Sequence, residues 1–84
     1  MKVTVRMRGN PTERGVAALE RTLAETIDAC EELLAASRKL KRSKPASEAY
    51  LDQLPNLAVC ATVLKAKTES IEREIDQIED TLPD

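Results

Sequence analysis

The amino-acid sequence predicts an all-α fold built as one long, antiparallel, coiled-coil-like helical hairpin. Apolar residues recur at spacings of three and four along two long segments, as they do on one face of a helix. One short proline-containing stretch, residues 43–47, separates the two segments. Because a short connection between long helices favours an antiparallel arrangement, the two observations together predict a hairpin.

Length and composition predict a single domain over residues 1–84. Hydrophobic residues make up 42% of the chain and charged residues 33%, which is enough apolar content for a folded core. The only aromatic residue is Tyr50, so Leu, Ile, Val and Ala must provide the packing. Chains of this size keep little stability in reserve and are often stabilised by association.

The first element, residues 1–9, is predicted to be a short extended or β arm. Val3, Val5 and Met7 alternate with polar residues, which is the period-two pattern of a strand with one apolar face. An isolated strand is not stable, so it must pair with a partner's strand or lie as an ordered arm.

The first helix is predicted over residues 10–42. Asn10 suits the N-cap, Pro11 the first helical position, and Glu13 the acidic position of a capping box. The last turns carry positive charge, which is favourable at a helix C-terminus. This basic cluster comprises Arg38, Lys39, Lys41, Arg42 and Lys44.

The second helix is predicted over residues 48–82, with Ser47 as its N-cap. A heptad pattern from Tyr50 to Leu82 runs in phase through Pro55, so we interpret Pro55 as a kink within one helix. A true chain reversal at Pro55, giving three helices, is the alternative.

Folding the hairpin about residues 44–45 predicts a register. It places Leu40 opposite Tyr50, Leu33 opposite Leu57, Ile27 opposite Leu64, and Leu19 opposite Ile71. The same register brings Cys30 and Cys60 into facing segments, where we expect both to be reduced and at least partly buried. A disulfide or redox pair is the alternative for these two cysteines.

The apolar residues exceed what one hairpin can cover, which predicts dimerisation into a four-helix bundle. Residues 57–64 are apolar nearly all round, and the first helix carries extra alanines beside its apolar face. The predicted interaction seam comprises Val16, Leu19, Leu23, Ile27, Leu34, Leu57, Leu64, Ile71, Ile75 and Ile78.

The sequence offers no catalytic, cofactor-binding or metal-binding constellation, and a non-enzymatic protein is expected. Histidine is absent, which removes the commonest general base and metal ligand. Gly9 and Gly15 are the only glycines, too few for a phosphate-binding loop, and two cysteines fall short of a four-ligand zinc site. No small-molecule substrate is evident. Without a signal peptide or an apolar run of about 18 residues, a cytoplasmic location with no membrane contact is the expectation.

The leading functional prediction is a helical protein–protein interaction module: an oligomerising subunit, an adaptor or a small chaperone. The expected partner is a second copy, as a homodimer, or another helical protein. In length and topology the chain is similar to the small hairpin co-chaperones of type III secretion needle subunits.

The alternative prediction is a DNA-binding, antitoxin-like regulator that uses a basic N-terminal strand. Lys2, Thr4, Arg6 and Arg8 form one polar face of hydrogen-bond donors just before a helix. This opening resembles that of ribbon-helix-helix proteins, in which paired strands enter the major groove. That family has a short first helix, whereas here the first helix is predicted to continue to Arg42.

Overall fold

The computed structural model describes residues 10–82, which form two long helices joined by a short turn. Helix α1 spans Pro11–Arg42 and has 32 residues, and helix α2 spans Glu48–Thr81 and has 34. Together they hold 66 of the 73 described residues, and none of the 73 is in a strand. The predicted all-helical hairpin is confirmed. The predicted arm over residues 1–9 lies outside the described residues.

Both ends of α1 are capped by side chains or backbone groups that the sequence supplies. The Asn10 side chain accepts hydrogen bonds from the backbone N–H of Thr12, at 2.8 Å, and of Glu13, at 3.2 Å. At the other end, the backbone N–H of Ser43 donates to the Leu40 carbonyl at 3.0 Å. These bonds satisfy groups that a helix end otherwise leaves without a partner.

The connection between the helices is a tight turn centred on Pro45 and Ala46. The Ser47 N–H donates to the Lys44 carbonyl at 3.0 Å, and Ala46 has a φ of 66°. Proline followed by a residue of positive φ is the arrangement of a type II turn. The Ser47 hydroxyl then caps α2 by accepting from the Tyr50 N–H at 3.2 Å.

Helix α2 continues through Pro55 without a chain reversal. Proline lacks an N–H, so the Leu51 carbonyl has no donor from position 55. Because the helix runs on to Thr81, the two-helix prediction holds and the three-helix alternative is wrong.

The two helices meet along a stripe of residues spaced alternately by three and four, which we name the hairpin seam. In α1 it comprises Thr12, Gly15, Leu19, Thr22, Thr26, Ala29, Leu33, Ala36 and Leu40, followed by Ser43. In α2 it comprises Tyr50, Gln53, Leu57, Cys60, Leu64, Lys67, Ile71, Glu74, Ile78 and Thr81. Every residue of this set except Thr81 is buried or half-buried, so the stripe is the contact face of each helix.

Small residues on the α1 side of the hairpin seam let the helices approach closely. Gly15, Thr22, Ala29 and Ala36 recur every seven residues, and Thr22 and Ala29 are among the few buried residues of the described chain. A Cβ added at Gly15 would lie 2.9 Å from Cγ1 of Ile78. Stepping seven residues along both helices then places Ile71, Leu64 and Leu57 opposite the small α1 side chains that follow Gly15.

The observed register corrects the predicted one by about one helical turn. Pairing Leu19 with Ile71 would place position 75 opposite Gly15, but Gly15 lies against Ile78. The Thr12 and Thr81 hydroxyls, 2.6 Å apart, fit the observed register. The four predicted pairs are therefore wrong, because they matched large residues with large ones while the hairpin matches large with small.

The two cysteines also depart from the prediction. Both are free thiols, but Cys60 is buried in the hairpin seam and Cys30 is exposed. Cys30 lies four residues after the seam residue Thr26, which places it beside the seam and not within it. The expected burial is confirmed for Cys60 and wrong for Cys30.

The hairpin is elongated, with principal extents of 64 × 25 × 14 Å. Its radius of gyration is 19.0 Å, against about 12 Å for a compact domain of this length. Among the described residues no large side chain is fully buried. Two helices alone therefore leave many large apolar side chains partly accessible.

Candidate protein interaction surface

Apolar residues are concentrated along one side of the hairpin, and we name this side the apolar face. Its α1 residues are Val16, Leu23, Ile27, Cys30 and Leu34. Its α2 residues are Leu51, Leu54, Ala58, Ala61, Ile75 and Leu82, where Leu82 is the C-cap of the helix.

Helix geometry explains why these residues share one side. Val16, Leu23 and Cys30 each lie four residues after a seam residue of α1, and Leu54, Ala61 and Ile75 do the same in α2. A step of four residues advances slightly more than one full turn, so each of these residues lies beside the seam. In an antiparallel pair these positions of the two helices flank the seam on the same side.

A groove between the helices opens beside the α1 part of the apolar face. Cys30, Leu33, Leu34 and Ser37 of α1 line it together with Leu64 of α2. The groove encloses about 340 Å³ and is open to the surface. Its walls are mainly apolar, as the walls of protein and ligand docking sites usually are.

Exposure of large apolar side chains is concentrated on this face. Nine are exposed in the described part of the chain, and seven of them belong to the apolar face, with exposed fractions of 39 to 58%. The other two, Val59 and Val63, lie on the opposite side of α2. An apolar patch of this extent is uncommon on a protein that works alone.

The predicted interaction seam divides between two surfaces. Half of its residues pack between the helices: Leu19, Leu57, Leu64, Ile71 and Ile78 are half-buried in the hairpin seam. The other half lie on the apolar face: Val16, Leu23, Ile27, Leu34 and Ile75, of which only Leu23 is half-buried. The sequence pattern thus merged two adjacent stripes into one.

Polar contacts fix the hairpin on the side away from the apolar face. The Lys67 ammonium group lies 2.8 Å from Oε1 of Glu25, bridging the helices. Its hydrogen bond, and then its charge, lower the pKa of the Glu25 carboxyl below the ordinary value of 4.5. Within the seam, the Thr22 hydroxyl donates to Oε2 of Glu74 at 2.9 Å, while Oε1 of Glu74 is buried without a protein partner.

The described residues offer no alternative site with evident chemistry. No group of three or more Cys, Asp or Glu residues between positions 10 and 82 could hold a metal ion. In the same part of the chain, neither helix is long and apolar enough to cross a membrane. The predicted nucleic-acid contacts Lys2, Thr4, Arg6 and Arg8 lie outside the described residues.

Sequence reasoning missed several residues of the apolar face. The predicted register places Cys30 in the hairpin interior, and the heptad pattern from Tyr50 to Leu82 does not separate Leu82 from the seam of α2. The signal that separates the two stripes is the seven-residue repeat of Gly15, Thr22, Ala29 and Ala36, which marks the side where another helix approaches closely.

No protein family model, curated protein or solved structure matches the chain. Its function is therefore inferred from the apolar face itself.

Proposed function

We propose that this chain is a non-enzymatic helical interaction module that associates through the apolar face. Such a module serves as an oligomerising subunit, an adaptor or a small chaperone. The observation that carries the proposal is the concentration of seven exposed Leu, Ile and Val side chains on one side of the hairpin. Complete burial of such a side chain contributes about 1.5–3 kcal/mol, so a partner covering this face has a large apolar driving force.

The partner that suits this face best is another pair of helices. A second hairpin laid on the first would cover both apolar stripes at once and complete a four-helix bundle. The half-buried α2 seam residues would gain neighbours on their open side, since the groove beside Leu64 would be filled. A homodimer is the first choice, and a different helical protein is the second.

Leu34→Glu tests the proposal, and Ala35→Glu is its matched control. The two residues are adjacent and both exposed, but only Leu34 belongs to the apolar face, where it lines the groove. A carboxylate at position 34 would be buried without a partner in the complex, which disfavours association strongly. At position 35 the same change adds a charge to a solvated surface.

The measurement is the solution mass by light scattering or sedimentation at micromolar concentration, with helix content followed by circular dichroism. We expect the unmodified chain and Ala35→Glu to have twice the 9.3 kDa of one chain. For Leu34→Glu we expect a dissociation constant raised about 100-fold, which corresponds to roughly 2.7 kcal/mol. An unmodified chain that stays at 9.3 kDa with a concentration-independent melt would contradict self-association. Equal dissociation constants of the two variants would show that the chain does not associate through the apolar face.

A further inference from the structure

The charged residues bordering the apolar face are segregated by sign along the length of the hairpin. At the open end, where the helix termini lie, the border residues are Glu13, Glu20, Glu69, Glu72, Asp76 and Glu79. All six are exposed, and the one cation at an equivalent position in that half of the described chain is Lys65, near the middle of α2. At the turn end the border carries Arg38 and Lys41, with Lys44 in the turn itself and two acids, Glu31 and Glu48.

We propose that the partner on the apolar face is a second copy of this chain, reversed in direction, with its turn end against the open end of the first. This inference rests on the proposed self-association and specifies its geometry. The two-fold axis then lies across the middle of the hairpin, so that α1 packs on α1 of the partner and α2 on α2.

Charge complementarity selects this orientation over the parallel one. Two hairpins pointing the same way would bring six border carboxylates of one copy beside six of the other. Reversing one copy places Glu13 and Glu20 of α1 beside Arg38 and Lys41 of the partner's α1. The acidic border of α2 then lies along the N-terminal half of the partner's α2, away from the other acidic ends. Between solvated side chains each close pair of opposite charges favours this orientation modestly, and the charges also steer the encounter of the two copies.

The size of the apolar face fits a second hairpin. From Leu51 to Leu82 the face is about 46 Å long by the rise of a helix, and two helices are roughly 20 Å wide. The covered area is then about 900 Å² on each copy, close to the roughly 800 Å² per partner of a stable interface. Residues 1–9 of the same chain, even fully extended, span at most about 32 Å and cannot cover it.

Spin-label distances test the orientation directly. In a chain with Cys30→Ala and Cys60→Ala, a single label at Lys44→Cys reports the separation of the two turns. The reversed dimer is expected to give about 50 Å, the length of one helix. A parallel dimer would give about 20 Å or less, since packed helices lie roughly 8–10 Å apart, and that result would overturn the inference.

A second label separates failure of the orientation from failure of the proposed function. Thr62 is exposed and lies near the middle of α2, so Thr62→Cys gives a short distance in either orientation and reports dimerisation itself. A short distance at position 62 with a short distance at position 44 refutes the reversed arrangement alone. No distance at either position, with a mass of 9.3 kDa, refutes self-association and the inference with it.

Charge reversal gives an independent measurement on the cysteine-containing chain. Arg38→Glu with Lys41→Glu is expected to raise the dimer dissociation constant about tenfold at low salt and less in 1 M salt. Adding Glu13→Lys and Glu20→Lys restores the opposite signs between the two α1 helices and is expected to recover the original affinity. Charge reversal without effect on affinity, or a quadruple variant weaker than the double one, would overturn the inference.

Discussion

Small side chains on one stripe of α1 set how closely the two helices approach. Gly15 shows this most directly, because the space that its Cβ would need is occupied by Ile78. Glycine in a helix interior ordinarily costs about 1 kcal/mol relative to alanine. At position 15 glycine is needed because the helices are in close contact there. The β-branched side chain of Ile78 has little freedom to move away from an added Cβ.

Gly15→Ala is expected to lower the free energy of unfolding by about 1 kcal/mol, because overpacking exceeds the gain in helix propensity. Urea denaturation at fixed protein concentration measures the change. The control is the same substitution with Ile78→Ala, where the space is free and alanine should stabilise by about 1 kcal/mol. An increase in stability in both backgrounds would show that the helices do not meet closely at position 15.

The Glu25–Lys67 ion pair predicts a local pH dependence. The pKa of the Glu25 carboxyl is lowered by the hydrogen bond from Lys67, so the pair stabilises the folded state above the unfolded pKa of 4.5. This contribution is lost as the pH falls through the lowered folded pKa. The Glu25 carboxylate is exposed to solvent, so its contribution to the free energy of unfolding is small.

An NMR titration of the Glu25 side chain measures this pKa. Lys67→Met is expected to raise it back toward 4.5, because both the hydrogen bond and the positive charge are removed. Lys65→Met removes a nearby exposed charge that does not contact Glu25 and should leave the value unchanged. Equal titration in both variants would argue against the bridge between the helices.

At the scale of the helices, local sequence signals were sufficient for the fold. Asn10 and Ser47 cap the helices that follow them, and the stretch around Pro45 forms the turn. These signals act between residues a few positions apart, which is why they can be recognised without knowing the tertiary structure.

The packing face was harder to predict, because it depends on steric fit between distant residues. Large residues such as Ile27 and Leu34 dominate an apolar pattern, yet they lie outside the hairpin seam. Ala29 and Thr22, which contribute little to such a pattern, are buried in it. Apolar spacing identifies which stripes are candidates, whereas close approach of two backbones decides which one pairs within the hairpin.

Pro55 lies inside α2, where it interrupts the backbone hydrogen bonding of the helix. Pro55→Ala is expected to raise the free energy of unfolding by about 1–3 kcal/mol, since it restores an N–H to the helix and removes a clash with the preceding turn. Pro45→Ala is the matched control, and it should lower stability by up to about 1 kcal/mol because proline pre-sets the turn. Urea denaturation of both variants measures these changes in the free energy of unfolding. A loss of stability with Pro55→Ala would mean that the hairpin depends on a bend at this position.

For the molecule as a whole, the elongated shape and the apolar face have one origin. Two helices present two contact stripes to each other, and this sequence carries apolar residues on additional stripes. The sequence alone showed that apolar surface would be left over, since its amount follows from composition. The sequence did not show that most of this surface lies on one side, because that depends on the register and on which stripe pairs.

The tight turn at Pro45 and Ala46 also orders the steps by which the chain can fold. Contacts beside it, such as Gln53 with Ser43, join residues 10 positions apart, whereas Thr12 and Thr81 at the open end are 69 apart. The entropy lost on closing a loop grows with its length, so pairing next to the turn is the least costly first step. Formation then proceeds as a zipper from the turn toward the termini, and opening begins where the chain ends meet.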